Sequence, residues 1–174
     1  AIMAAPAYAV DGAGDSDSQD FDITANVQQE CSVEDPENVD FGTIAIDEAP
    51  GAGALLAISG RTTRRQNVWV SCNYGASMAL SSGPMTTTEV NDGPDAADFT
   101  DVIHLRMGIT ASDGTAFNRM FFDTLTKTGD SKTNADAFHD NAEIAVVLNT
   151  LDFQGRRPLA GQYTATATLS VGPI

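Results

Sequence analysis

The stretch from Tyr163 to Val171 limits what this chain can fold into more than any other. Tyr163, Ala165, Ala167, Leu169 and Val171 alternate with Thr164, Thr166, Thr168 and Ser170. Successive side chains of a strand point to opposite faces, so one face here is apolar and the other carries hydroxyls. Gly161 opens the stretch and Pro173 closes it. The same period of two occurs near the other end, where Phe21, Ile23, Ala25 and Val27 alternate with Asp22, Thr24 and Asn26.

Between these two stretches, short apolar runs are separated by turn residues. Val39–Ile46 reads as a strand carrying Phe41-Gly42-Thr43-Ile44, after a turn at residues 34–38. Leu55–Ser59 and Gln66–Cys72 are strand candidates on either side of a basic patch, Arg61 to Arg65. Met78–Ser81 is a short strand, residues 83–98 read as loop, and Val102–Thr110 alternates again. Ala116–Leu125 is a strand or an irregular segment, residues 127–141 a polar loop, and Glu143–Phe153 a strand. Sustained Leu/Glu/Lys/Arg patterns at helical spacing are absent. Many short strands spaced by turns imply an antiparallel sandwich. The 174 residues suffice for one domain with a real core and are too few for two.

The formal charge is −15, from 24 acidic and 9 basic residues. Such a chain repels phosphate backbones, which argues against a nucleic-acid partner. Arg61, Arg64, Arg65, Arg156 and Arg157 hold most of the positive charge. They either balance surface charge or pair with a neighbour's acids and steer assembly. No apolar run approaches the length of a membrane span.

Catalytic signatures are lacking. His104 sits in an alternating stretch and His139 in a polar one, neither with partners at metal-ligand spacing. Ser59 lies in Ala-Ile-Ser-Gly-Arg, without the first glycine of a nucleophile elbow. Asp15, Asp17 and Asp20 lack the glycine and the final bidentate acid of a calcium loop, where Asn26 stands. No enzyme activity, cofactor or metal is expected. Trp69 points away from Val68 and Val70, as a packed boundary residue or an interface anchor.

Cys31 and Cys72 are the only cysteines. They form either one disulfide, in an oxidising compartment, or two reduced thiols. Residues 1–9, Ala-Ile-Met-Ala-Ala-Pro-Ala-Tyr-Ala, resemble the tail of a signal peptide with Ala7-Tyr8-Ala9 as the cleavage site, or else form a mature tail. Residues 11–20 read as a small, polar, flexible linker.

Taken in order, these features resemble one family. An alternating strand ends four residues before a cysteine (Phe21 to Cys31). A Phe41-Gly42-Thr43 strand follows, then Val68-Trp69-Val70-Ser71-Cys72, then a short strand through Met78–Gly83. The chain closes on Ala160-Gly161-Gln162-Tyr163-Thr164. The set is similar to the spore coat protein U-like domain, which includes the pilins of archaic chaperone–usher pili. The resemblance covers residues 19–83 and 143–172.

It implies an all-β fold, an incomplete immunoglobulin-like antiparallel sandwich completed by a donor strand from a neighbouring subunit. The implied layout is a signal remnant or flexible tail (1–18), a donor strand (19–28) and the pilin domain (29–174). Phe21, Ile23, Ala25 and Val27 would enter the neighbour's groove. Tyr163, Ala165, Ala167, Leu169 and Val171 would form its C-terminal edge, and a Cys31–Cys72 bridge would staple the sheet. The implied partners are further copies in a homopolymeric fibre, a periplasmic chaperone and an outer-membrane usher. The implied location is the cell surface, reached through the periplasm. An alternative donor, Ile2–Val10, alternates poorly and is interrupted by Pro6. A self-contained secreted β-sandwich binding module is the alternative function.

Overall fold

The computed structural model describes residues 18–58, 60–111 and 119–174. In chain order the strands are β1 (Cys31–Val33), β2 (Thr62–Cys72), β3 (Ala76–Ser82), β4 (Met85–Thr86), β5 (Phe99–Thr100) and β6 (Val102–Ile103). Then come β7 (Arg106–Ala111), β8 (Met120–Asp123), β9 (Gly129–Asn134), β10 (Phe138–Leu148), β11 (Arg157–Pro158) and β12 (Ala167–Pro173). The described helical turns are short and of the 3-10 type. The fold is all-β.

Two antiparallel sheets share the main core. One has the order β1-β2-β10-β7-β8, the other β12-β3-β9. The long β2/β10 ladder runs from Cys72 opposite Phe138 to Thr62 opposite Leu148. Period-two alternation turns Val68, Val70 and Cys72 of β2 inward, facing Ala76, Met78 and Leu80 of β3. Met107 and Ile109 of β7 and Met120 and Phe122 of β8 fill the space between. At one side of the sandwich β8 neighbours β9; at the other, β1 neighbours β12.

A smaller apolar cluster, Ile103, Leu148 and Phe153, closes one end. It depends on the turn after β10. Asn149 caps this turn by accepting from the Leu151 N–H, while Asp152 accepts from the Asn149 N–H at 2.7 Å. Asp152 is 2% exposed and reaches Arg106, which also donates to Asp123 at 2.8 Å. Burial pushes the Asp152 carboxyl above its ordinary range. Burial acts on Asp123 in the same direction, but hydrogen bonds from Arg106 and the Leu125 N–H outweigh it and hold that carboxyl low.

Several strand expectations are corrected. Val39–Ile46 is not a strand; among the described residues its one ladder contact is the bridge between Ile46 and Ala57, and β2 meets it through a side chain, Arg64 donating to the Asp40 carbonyl, rather than through a ladder. Gly42 there has φ +70°, and its N–H is held by the Asp40 carboxylate. Leu55–Ser59 reduces to the same bridge at Ala57, with Ser59 outside the described residues. The alternation from Tyr163 becomes ladder only from Ala167; its first half is tied by the bridge of Thr164 to Thr86. Residues 83–98 include β4 and a 3-10 turn, Ala96–Asp98.

Residues 127–141 are not loop but contain β9 and the start of β10. No residue of β9 is buried, so its composition is polar, and buried Asp140 interrupts the apolar alternation of β10. The strand expected over Glu143–Phe153 therefore begins at Phe138 and stops at Leu148. Val102–Thr110 divides into β6 and β7.

Candidate assembly site: an unpaired segment and an uncovered edge

The N-terminal segment leaves the sandwich from a fixed point. Cys31 and Cys72 face each other across the β1/β2 ladder and form a disulfide, with Cα atoms 4.2 Å apart. The backbone bonds flanking the pair join Asn73 to Glu30 and Glu34 to Trp69, which makes 31/72 a non-hydrogen-bonded pair, where side chains lie closest. One residue beyond, Asn73 clamps the incoming chain. Its backbone N–H donates to the Glu30 carbonyl, its side-chain Oδ1 accepts from the Glu30 N–H, and its side-chain Nδ2 donates to the Gln28 carbonyl at 2.8 Å. Sequence reasoning missed Asn73. Its place directly after Cys72, before Gly75 at the turn into β3, was the available signal.

Upstream of this clamp the described chain, residues 18–28, belongs to no strand. Phe21, Ile23 and Val27 are 81%, 84% and 79% exposed, and Ala25 is exposed too. Three large apolar side chains with a strand pattern thus lie in water.

The opposite feature lies on the domain. Among the described residues β12 forms a ladder with β3 on one side only; β1 comes near its other edge without joining it in a ladder. Leu169 and Val171 are half-buried against the main core, as is Val33 on β1. Further along the same side, Phe41, Met85 and Tyr163 are half-buried beside the smaller cluster. Here a cleft of about 700 Å³ opens between residues 39–46 and residues 158–163. The Tyr163 hydroxyl lies 2.8 Å from the Thr100 carbonyl and 3.1 Å from that of Leu159. Burial raises its pKa above the ordinary phenol value. Gly161, at φ +155°, passes so close to Thr87 that a Cβ would sit 2.7 Å from the Thr87 hydroxyl.

The expected groove-edge residues therefore lie along one margin. Tyr163, Leu169 and Val171 are half-buried, and Ala165 and Ala167 are exposed. Phe21, Ile23, Ala25 and Val27 do not meet them within the chain. The signal-like residues 1–9, the alternative donor Ile2–Val10, most of the 11–20 linker, and Asp15 and Asp17 lie outside the described residues.

The remaining candidates separate. His104 is 3.4 Å from the Thr124 hydroxyl. His139 lies on strand β10 rather than in a loop, 2.6 Å from the Ser71 hydroxyl and stacked on Trp69 at 4.7 Å. Trp69 is 46% exposed on the outer face. Among the described residues no group of three His, Cys, Asp or Glu could hold a metal ion, and no helix is long and apolar enough to cross a membrane. No family model, curated protein or solved structure matches the chain.

Proposed function

We propose that this chain is a structural subunit of a chaperone–usher surface pilus, polymerising by donor-strand complementation. One pairing of observations carries the reading. A strand-patterned segment pairs with no described strand of its own domain, and one margin of that domain has an apolar cleft and a strand edge outside any described ladder. A long unpaired edge invites another chain, and an extended peptide added to it satisfies backbone and side chains together. Burying Phe21, Ile23 and Val27 in a neighbour is worth about 1.5–3 kcal/mol each. Each ladder bond adds roughly 0.5–1.5 kcal/mol net.

Two further features favour an immunoglobulin-like sandwich. Two antiparallel sheets share one core. The Tyr163 hydroxyl also bonds back to the carbonyl four residues upstream, as in the tyrosine corner of such folds. In this reading the Cys31 disulfide and the Asn73 clamp hold the point from which the donor projects. The subunit would pass through the periplasm with a chaperone shielding its open margin, reach the surface through an outer-membrane usher, and serve in adhesion or biofilm formation.

A second reading, a self-contained secreted binding module, is favoured by the cleft, whose volume falls in the range of small-molecule sites, roughly 300–1,000 Å³. Size-exclusion chromatography after mild heating, followed by electron microscopy, separates the two. Non-covalent multimers and fibres support the pilus. A stable monomer whose edge recruits no second copy supports the module and defeats the pilus.

A further inference from the structure

On the outer face of the five-stranded sheet one row crosses four strands: Arg65, Ala145, Gly108 and Phe121. The two central residues are small, so Arg65 and Phe121 become the walls of a depression of about 250 Å³. Arg61 and Arg119 stand at its rim, both exposed. Arg119 lies over the Phe121 ring at 5.1 Å. Arg65 pairs with Glu143. Among the described residues neither Arg61 nor Arg119 has an ion-pair partner. Among the described residues three guanidiniums therefore meet one carboxylate, on a chain whose net charge is −15.

The matching charge is elsewhere in the same sequence. Residues 1–60 contain no Lys or Arg, and five aspartates fall between Asp11 and Asp22. In their own chain Asp20 and Asp22 are exposed, within the segment that joins no strand, and neither meets an arginine. We propose that the Arg61/Arg65/Arg119 depression docks the aspartate-rich stretch Asp11–Asp22 of a second copy. Bidentate guanidinium–carboxylate pairing suits this partner, and complementary charge speeds encounter between copies that otherwise repel. The contact goes beyond donor-strand exchange and does not require it.

The test uses a labelled peptide of residues 9–20, which carries four aspartates and none of Phe21, Ile23 or Val27. Its fluorescence anisotropy is titrated with the full chain at low salt. Saturable binding is expected, weakening steeply as the Debye length shrinks from about 30 Å at 0.01 M to about 10 Å at 0.1 M salt. Arg61→Glu combined with Arg119→Glu should weaken it at least tenfold, while Arg156→Glu should leave it unchanged. Absence of binding at low salt, or equal binding by the double variant, overturns the proposal. So does tighter binding by a chain carrying Asp15→Asn, Asp17→Asn, Asp20→Asn and Asp22→Asn, because the stretch would then occupy its own depression. A sulfated oligosaccharide that outcompetes the peptide would assign the site to a polysaccharide and overturn it equally. Since the peptide lacks the donor side chains, each result stands whether or not fibres form.

Discussion

Truncating Ile23 separates the role of the N-terminal segment from the stability of the domain. In its own chain Ile23 is 84% exposed, so Ile23→Ala should change subunit stability by no more than about 0.5 kcal/mol, the range of ordinary surface substitutions. Seated in a neighbour's groove, the same side chain would be buried. Deleting a buried isoleucine to alanine costs about 2–5 kcal/mol. At about 1.4 kcal/mol per factor of ten, the junction between subunits weakens roughly 30-fold to several-thousand-fold. Ile23→Asp adds the cost of taking a carboxylate out of water and should block polymerisation altogether. Thr24→Ala, one residue on and facing the other way, is the control and should be nearly neutral. Two measurements suffice: the thermal midpoint of the monomer, and the denaturant concentration that releases subunits from fibres, checked by electron microscopy. Unchanged fibre resistance in Ile23→Ala, or a monomer midpoint lowered by several degrees, would refute the reasoning, because Ile23 would then be spectator or core.

Three other perturbations follow from the domain. Removing the Cys31–Cys72 bridge by paired substitution to alanine should cost about 2–5 kcal/mol, read as a lower urea midpoint; an unchanged midpoint would show that the staple carries no stability. Asp123, held below its ordinary range, stabilises the fold above the unfolded pKa of about 3.9, and that stability is lost as pH falls through the lower folded value. Asp123→Asn should therefore be less stable at pH 7 and lose less between pH 7 and pH 2 than the parent; equal losses would rule out this linkage. Gly75 passes so close to the turn between β9 and β10 that a Cβ would sit well inside van der Waals contact of the Ala135 carbonyl. Gly75→Val should destabilise by at least the roughly 1–3 kcal/mol of an overpacked site, and a denaturation curve matching the parent would contradict that.

How far the sequence could be read depended on which faces were covered. The β2 segment from Gln66 to Cys72 was legible because Val68, Val70 and Cys72 alternate inward without interruption. The pairing of Cys31 with Cys72 was open from composition alone, and the ladder closes it. β9 was not legible, because a strand with no buried residue needs no apolar ones, and Asp140 masked the start of β10. Phe41-Gly42-Thr43-Ile44 carries a strand composition but, among the described residues, joins no ladder. Residue preference specifies a surface that fits a sheet, not the presence of a neighbour. For the same reason Phe21–Val27 reads as a strand while forming none in its own chain. The outer-face row from Arg65 to Phe121 depends on register across four strands, which no local pattern encodes.

The central claim is that the segment around Ile23 finds its partners in another copy. A photoreactive aromatic residue in place of Ile23, activated in the assembled protein, reports this directly. The expected product is a covalent ladder of multimers, with cross-links mapped by mass spectrometry to the edge of β12 away from β3 and to residues 39–46 of the neighbour. Cross-links confined to single chains would contradict the account.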